Sequence, residues 1–302
     1  MPPPPRRHLR LLDVVCQVQA QPVPDNEARA YAARQLVQAT LPHRNPKGAP
    51  PEWSRSNGNY TLVIRPGYKK DSLSGERRCI GYPYGSIPRL LLFWMTTMAV
   101  VTKSRRIELG PTLAEFMRAL GLDPERGGKR SDARRLQDQM DRLFRAAISF
   151  EYTEVTGDHV QEDWVNMHVT SKGHLWWDMQ SPDQLNLFDS YIELSEEFFD
   201  AITAHPVPTD LRVLRALKQS PLALDLYAWL TYRAHRVNRA EKPVVVTWRQ
   251  LQEQIGADFS TTKNFKIKVK PALAKVQAIY PHLKVRAVDG GIELKPGLSV
   301  IP

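Results

Sequence analysis

The chain has 302 residues, 42% of them hydrophobic and 9% aromatic, which is enough for two domains that each bury a core. Lys and Arg outnumber Asp and Glu by 42 to 32, giving a net charge of +10 and a pI near 9.6, so the default partner is a polyanion, the alternative being a merely solubilising surface. The two cysteines, Cys16 and Cys79, form no CxxC, which argues against a disulfide scaffold or zinc ribbon and fits a reducing cytoplasm.

Residues 1–59 carry ten of the 24 prolines. They read as a mostly flexible Pro-rich arm with one short helix in "EARAYAARQLVQAT". The start, "MPPPPRRHLR", has no apolar run after its charges and is not read as a signal peptide. From Tyr60 the pattern becomes dense. A strand is expected over 60–65, then a long apolar helix from Ser86. Its run "LLLFWMTTMAVV" is shorter than the ~18–20 residues a membrane span needs, so it reads as buried. "RRIELG" follows as a strand, and "PTLAEFMRALG" as a helix with Thr112 and Glu115 placed for a capping box. "GGKRSDARRLQDQMDRLFRAA" is a second helix. "ISFEYTEVTGDHVQEDWVNMHVTS" is a hairpin about Thr-Gly-Asp, and "HLWWDM" and "SYIELS" are further strands.

The same order then recurs: a helix from Pro221, the strand "PVVVTW", the capped helix "TWRQLQEQIG" with Thr247 and Gln250, a basic segment, and a hairpin about Asp289-Gly290-Gly291. Thr112 and Thr247, and Trp94 and Trp229, are both 135 residues apart. Leu136, Met140, Leu143, Phe144 and Ala147 correspond to Phe265, Val269, Ala272, Leu273 and Val276. A duplication is therefore expected. A capped helix, a second helix and a hairpin make a winged helix-turn-helix, in which the second helix buries one face and offers the other to a DNA groove. The fold class read from this is α+β: two tandem winged helix-turn-helix domains, 60–190 and 191–302, behind a flexible arm.

The basic segment "STTKNFKIKVKPALAKV" alternates like a strand over six residues but carries a helical stripe over about sixteen. Phe265, Val269, Ala272, Leu273, Val276 and Tyr280 share one face, while Lys263, Lys266 and Lys270 gather on one side of it. Ser260 or Thr261 supplies the N-cap, and Pro271 is expected to kink or stop the helix. From Phe259 onward there are eight Lys/Arg and two acids. The residues marked for DNA are Ser260, Thr261, Thr262, Lys263, Asn264, Lys266, Ile267 and Lys270 on the helix, and Lys284, Arg286 and Lys295 about the wing. Ile267 is either an ordinary exposed residue or a contact for a thymine methyl. In the first copy the marked residues are Lys129, Arg130, Arg134 and Arg135. The rest of that helix alternates in sign and reads as a salt-bridged solvated face.

Chemistry of other kinds finds no support. "GLDPERGGKRS" lacks the spacing of a phosphate loop. No His-x-His pair exists to hold a metal beside a nucleophilic Tyr, and His159, His168 and His174 are irregularly spaced. Trp176 and Trp177 read as core rather than as a stacking platform. No enzyme activity, cofactor or metal is expected.

"GYPYGSIPRLLLFWMTTMAVVTKSRRIELGPTLAEFMRALGL" and "GGKRSDARRLQDQMDRLFRAAISF", with "WLTYRA", "VTWRQLQEQIGA", "NFKIKVKPALAKV" and "IYPHLKV", resemble the RepA-type replication initiators of theta-replicating bacterial plasmids. The block Tyr84 to Leu90 is the most specific part, and Met98 departs from the acid frequent in relatives. The resemblance spans roughly residues 60–296. It implies tandem winged helices and binding to double-stranded DNA at repeated origin sequences (iterons) and the chain's own promoter. It also implies origin opening, recruitment of host initiator and replicative helicase, and a homodimer in equilibrium with monomer through the first domain. A bacterial, cytoplasmic protein with no membrane partner is expected, the alternative being a winged-helix repressor with no role in initiation.

Overall fold

A computed structural model describes residues 6–21, 23–71, 74–125, 128, 131–175, 190–256 and 259–297. The chain opens with α1 (Arg6–Ala20), β1 (Arg29–Ala33), α2 (Arg34–Gln38), β2 (Trp53–Asn57), β3 (Tyr60–Arg65), β4 (Tyr68–Lys70) and β5 (Arg77–Cys79). A first unit follows: α3 (Ser86–Thr102), β6 (Arg106–Glu108), α4 (Leu113–Ala119), α5 (Asp132–Phe144), then β7 (Ala147–Thr156), β8 (His159–His168), β9 (Thr170–His174) and β10 (Tyr191–Leu194). After α6 (Glu196–Thr203), β11 (Pro206–Asp210) and α7 (Leu211–Leu217), a second unit runs through α8 (Pro221–Ala240), β12 (Val244–Thr247), α9 (Trp248–Ile255), α10 (Thr262–Ile279), β13 (Val285–Val288) and β14 (Gly291–Leu294). The result is a mixed α+β structure of helices and small antiparallel sheets.

The two units share more than element order. In the second, β12, β14 and β13 form a three-stranded sheet in that order. In the first, the same order is made by β6, β10 and β9. The equivalent strand pair is therefore β9 with β10, and not the 147–168 hairpin that the sequence pattern suggested. β7 and β8 instead extend a separate sheet, β2-β3-β7-β8. Because β10 pairs with β6, residues 191–194 belong to the first unit's sheet, although the sequence placed them in the second domain. The tryptophans at the shared spacing act alike. Trp94 meets Phe116 of α4 edge-on, their centroids 4.9 Å apart, and Trp229 Nε1 donates to Gln254 Oε1 of α9 at 2.7 Å. Each ties the long helix of its unit to the capped helix.

The N-terminal segment is not a flexible arm over its described length. Alternating Ala30 and Ala32 are buried, and β1 pairs along its whole length with β11, Arg29 opposite Asp210 and Ala33 opposite Pro206. Pro206 and Pro208 are tolerated because β11 has a single neighbour. Val37, Ala39 and Leu41 enter the core. Arg212 Nη2 donates to Gln21 O at 3.0 Å, at the end of α1, and α1 packs on α7 and α10. Proline density led the sequence reading astray here; small apolar residues at period two carried the true signal.

A buried ion pair joins the units. Arg89 of α3 donates from Nε to Asp225 Oδ1 at 2.7 Å and from Nη2 to Oδ2 at 2.8 Å. Its remaining donors reach the carbonyls of Leu41, Pro42 and Gly85. His43 Nε2 lies 2.8 Å from the same carboxylate. Burial by itself would raise the Asp225 pKa, but the Arg89 guanidinium and the His43 ring hold it well below the ordinary value. Burial lowers that of His43, which favours the neutral ring, whose Nε2–H donates to the carboxylate. The arginine of the Tyr84–Leu90 block thus clamps α3, α8 and the 41–43 segment together.

Candidate nucleic-acid interface

The basic segment is a helix. Thr261 caps it, its side chain accepting from Asn264 N at 3.2 Å, and α10 continues to Ile279. Pro271 lies inside and the helix runs on past it, so of the expected kink or stop the stop does not occur. Phe265, Val269, Ala272, Leu273 and Val276 face the core, as does Tyr280 just beyond. That burial on both sides of the proline holds the helix against the loss of one hydrogen bond.

Facing away from the core stripe, Ser260, Thr261, Lys263, Asn264 and Lys270 are exposed, and Ile267 is 57% exposed. Thr262 and Lys266 are half-buried. The Lys266 ammonium lies 5.7 Å from the centre of the Trp248 ring. Trp248 is itself fixed: its indole donates to Asp289 O at 2.9 Å and its backbone N–H to Gly290 O at 3.1 Å. One buried tryptophan therefore ties the start of α9, the hairpin turn and Lys266 together.

The α9–α10 turn depends on close approach. A Cβ on Gly256 would lie 2.5 Å from the buried Phe265 ring. Its counterpart Gly121 has φ +72, and a Cβ there would lie 2.7 Å from Arg215 Cγ. The shared glycine of the two capped helices thus serves different needs. Gly256→Ala should cost about 1–3 kcal/mol by overpacking, read as a lowered midpoint in urea. Unchanged stability would mean that Phe265 does not pack on this turn.

About the hairpin, Lys284 is exposed, while Arg286 pairs with Glu293 and Lys295 Nζ lies 3.9 Å from the same carboxylate. The wing is less positive than the sequence suggested, because β13 places Arg286 directly opposite Glu293. In the first unit Lys129 and Arg130 lie outside the described residues. Arg134 is exposed; Arg135 pairs with Asp132 at 3.1 Å. Ser131 caps α5, its side chain accepting from Arg134 N. Arg142 pairs with Asp138 and Arg145 with Asp141, the salt-bridged face that the sign alternation implied. Trp176 and Trp177 also lie outside the described residues. The denser cationic face is thus that of α10.

Sequence reasoning missed the Arg89–Asp225–His43 clamp. Its signal was present: Asp225 is a lone acid in the apolar run "PLALDLYAWL", and a lone buried acid needs a partner.

No curated protein matches the sequence. The crystal structure of selenomethionine derivatives of domain 2 and domain 3 of RctB is similar in fold, with a TM-score of 0.52 at 11% identity, covering 87% of this chain and 96% of that one. A second crystal structure of RctB domains 2–3 gives 0.49 at the same identity and coverage. Among the described residues no helix is long and apolar enough to cross a membrane. Residues 82–250 match the family of plasmid-encoded RepA proteins. The match takes in Arg89, Asp225 and the capped helix α4, and ends in the first turn of α9. Because it spans more than half of the 302 residues, the chain belongs to the plasmid-encoded RepA family, the replication-initiator family its sequence resembles.

Proposed function

We propose that this RepA-family chain is a sequence-specific DNA-binding initiator of plasmid replication that works without catalysis of its own. Each unit serves as a winged helix-turn-helix. α10 enters a groove of repeated origin DNA and carries the principal contacts, with Lys263, Lys266 and Lys270 on phosphates and Asn264 or Ile267 on base edges. Lys284 on the wing adds a phosphate contact, and the start of α5 an auxiliary one in the first unit. Binding helps to open the origin, recruits the host initiator and replicative helicase, and at the chain's own promoter represses it. A homodimer in equilibrium with monomer, held through the first unit, belongs to the same reading.

The single observation that carries this reading is the capped, core-anchored α10 with its exposed lysines, in a chain of the RepA family. The same two units could serve a repressor alone. A plasmid whose only origin is the DNA flanking the gene separates the two. Replication that depends on the chain supplied in trans supports the initiator. Promoter repression with no such replication leaves only the repressor.

A further inference from the structure

The outer face of the last turns of α8 carries Arg233, Arg236 and Arg239 at three-residue spacing. Arg34, the first residue of α2, reaches the same place from the N-terminal segment. The Arg34 and Arg236 guanidinium carbons lie 5.9 and 5.8 Å from the centre of the Tyr232 ring, and Arg236 Nη1 donates to the Tyr232 hydroxyl at 3.3 Å. Arg233 lies over Trp229, 5.6 Å from its ring centre. Two open hollows meet here and share Tyr232 and Arg236. One is lined by Arg34, His205, His235, Arg236 and Arg239 and by no carboxylate. The other holds Arg233 beside Tyr60 and Tyr152. Its one acid, Glu253, is held by Arg249 at 3.0 Å.

On α5 and α9, in contrast, Arg135, Arg142 and Arg249 each have a carboxylate on their own helix, and Arg145, just past α5, has Asp141. Among the described residues none comes within 4.0 Å of Arg34, Arg233, Arg236 or Arg239. Nε of Arg34 and Nε of Arg233 are buried and bonded to nothing. Burial, and then the neighbouring Arg236 charge, hold the Arg233 pKa below its ordinary value. Gathering four like charges and burying two guanidinium Nε–H groups without a partner costs free energy in the empty protein. A bound anion would offset that cost.

We propose that this cleft is a phosphoryl-binding site, separate from α10. The guanidinium forks match phosphate oxygens bidentately. Arg233 to Arg239 spans about 9 Å of helix, room for two neighbouring phosphoryl groups, and the Tyr232 ring contacts both Arg34 and Arg236. Those groups belong either to a free diphosphate-type anion or to a nucleic-acid backbone. The inference does not depend on the reading of α10.

The test uses the full chain, the Arg236→Ala/Arg239→Ala variant and Lys263→Ala/Lys266→Ala as a control. Both arginines are exposed, and an unchanged melting temperature confirms that the variant is folded. Inorganic pyrophosphate is titrated calorimetrically at low salt, and binding to a duplex of unrelated sequence is followed against salt concentration. Pyrophosphate affinity that falls at least tenfold in the arginine variant, with the lysine control unchanged, establishes a free-anion site. No pyrophosphate binding, with a salt slope shallower by roughly two in the arginine variant, establishes a backbone site. If the arginine variant matches the wild type in both assays the proposal is overturned, whatever the lysine variant does.

Discussion

Replacing Arg89 by Met should lower the unfolding free energy by about 3–5 kcal/mol, because it strands the buried Asp225 carboxylate with only the His43 ring for a partner. Against a stability of roughly 5–15 kcal/mol, that is a large fraction. The double variant Arg89→Met/Asp225→Leu should recover most of the loss, since a buried pair exchanged for apolar groups of similar volume is often neutral. Urea denaturation of the three proteins measures both effects. Equal stability of wild type and Arg89→Met would show that the clamp does not hold the units together. The clamp also sets a pH dependence. Both His43 and Asp225 have pKa values depressed by folding, so each contributes stability above its unfolded value that is lost on acidification. The His43 share declines as pH falls below about 6.5 and the Asp225 share below about 4. His43→Gln should flatten the fall in melting temperature between pH 8 and 5. A wild type with no such fall would contradict the neutral, donating ring.

The second large effect is on DNA. Lys263→Ala/Lys266→Ala should weaken binding to the origin duplex roughly 30-fold at 0.15 M salt, if each lysine neutralises one phosphate. Lys263 is exposed, so its loss leaves the fold alone. Lys266 also lies against Trp248, so the melting temperature of the variant must be checked. The effect should be nearly uniform across sequences. Asn264→Ala, in contrast, should relax discrimination at one base position. A folded double-lysine variant that binds as the wild type does would move the interface away from α10.

Much of this architecture was legible in the sequence, for identifiable reasons. A stripe from Phe265 to Tyr280 has one period and a capping threonine, and period and cap together fix a helix. The Thr-x-x-Gln box gave α9 its start, and both reciprocal bonds form. The duplication was readable because Trp94 and Trp229 do equivalent work. What failed were features that depend on partners distant in the chain. β1 is a strand because β11, some 180 residues later, pairs with it, and the short local alternation of Ala30 and Ala32 was outweighed by the prolines around it. The β7–β8 hairpin has strong alternation and a clear turn, so it outweighed the weaker β9 and β10 as the expected wing. Pro271 carried a local penalty that burial on both sides overrode. At the candidate interface, the cationic face of α10 followed from spacing, whereas the neutralisation of Arg286 by Glu293 required strand register. The arginines about Tyr232 come from two segments, Arg34 and α8, joined only by the fold.

The most direct test of the central claim is photo-cross-linking of the full chain to a duplex of any directly repeated elements found in the DNA flanking its gene, substituted with 5-bromodeoxyuridine, with the adducts mapped by mass spectrometry. The account predicts adducts within residues 260–270, lost when unlabelled repeat DNA competes and retained against unrelated DNA. Adducts elsewhere with none in α10, or adducts in α10 that unrelated DNA competes away equally well, would contradict it.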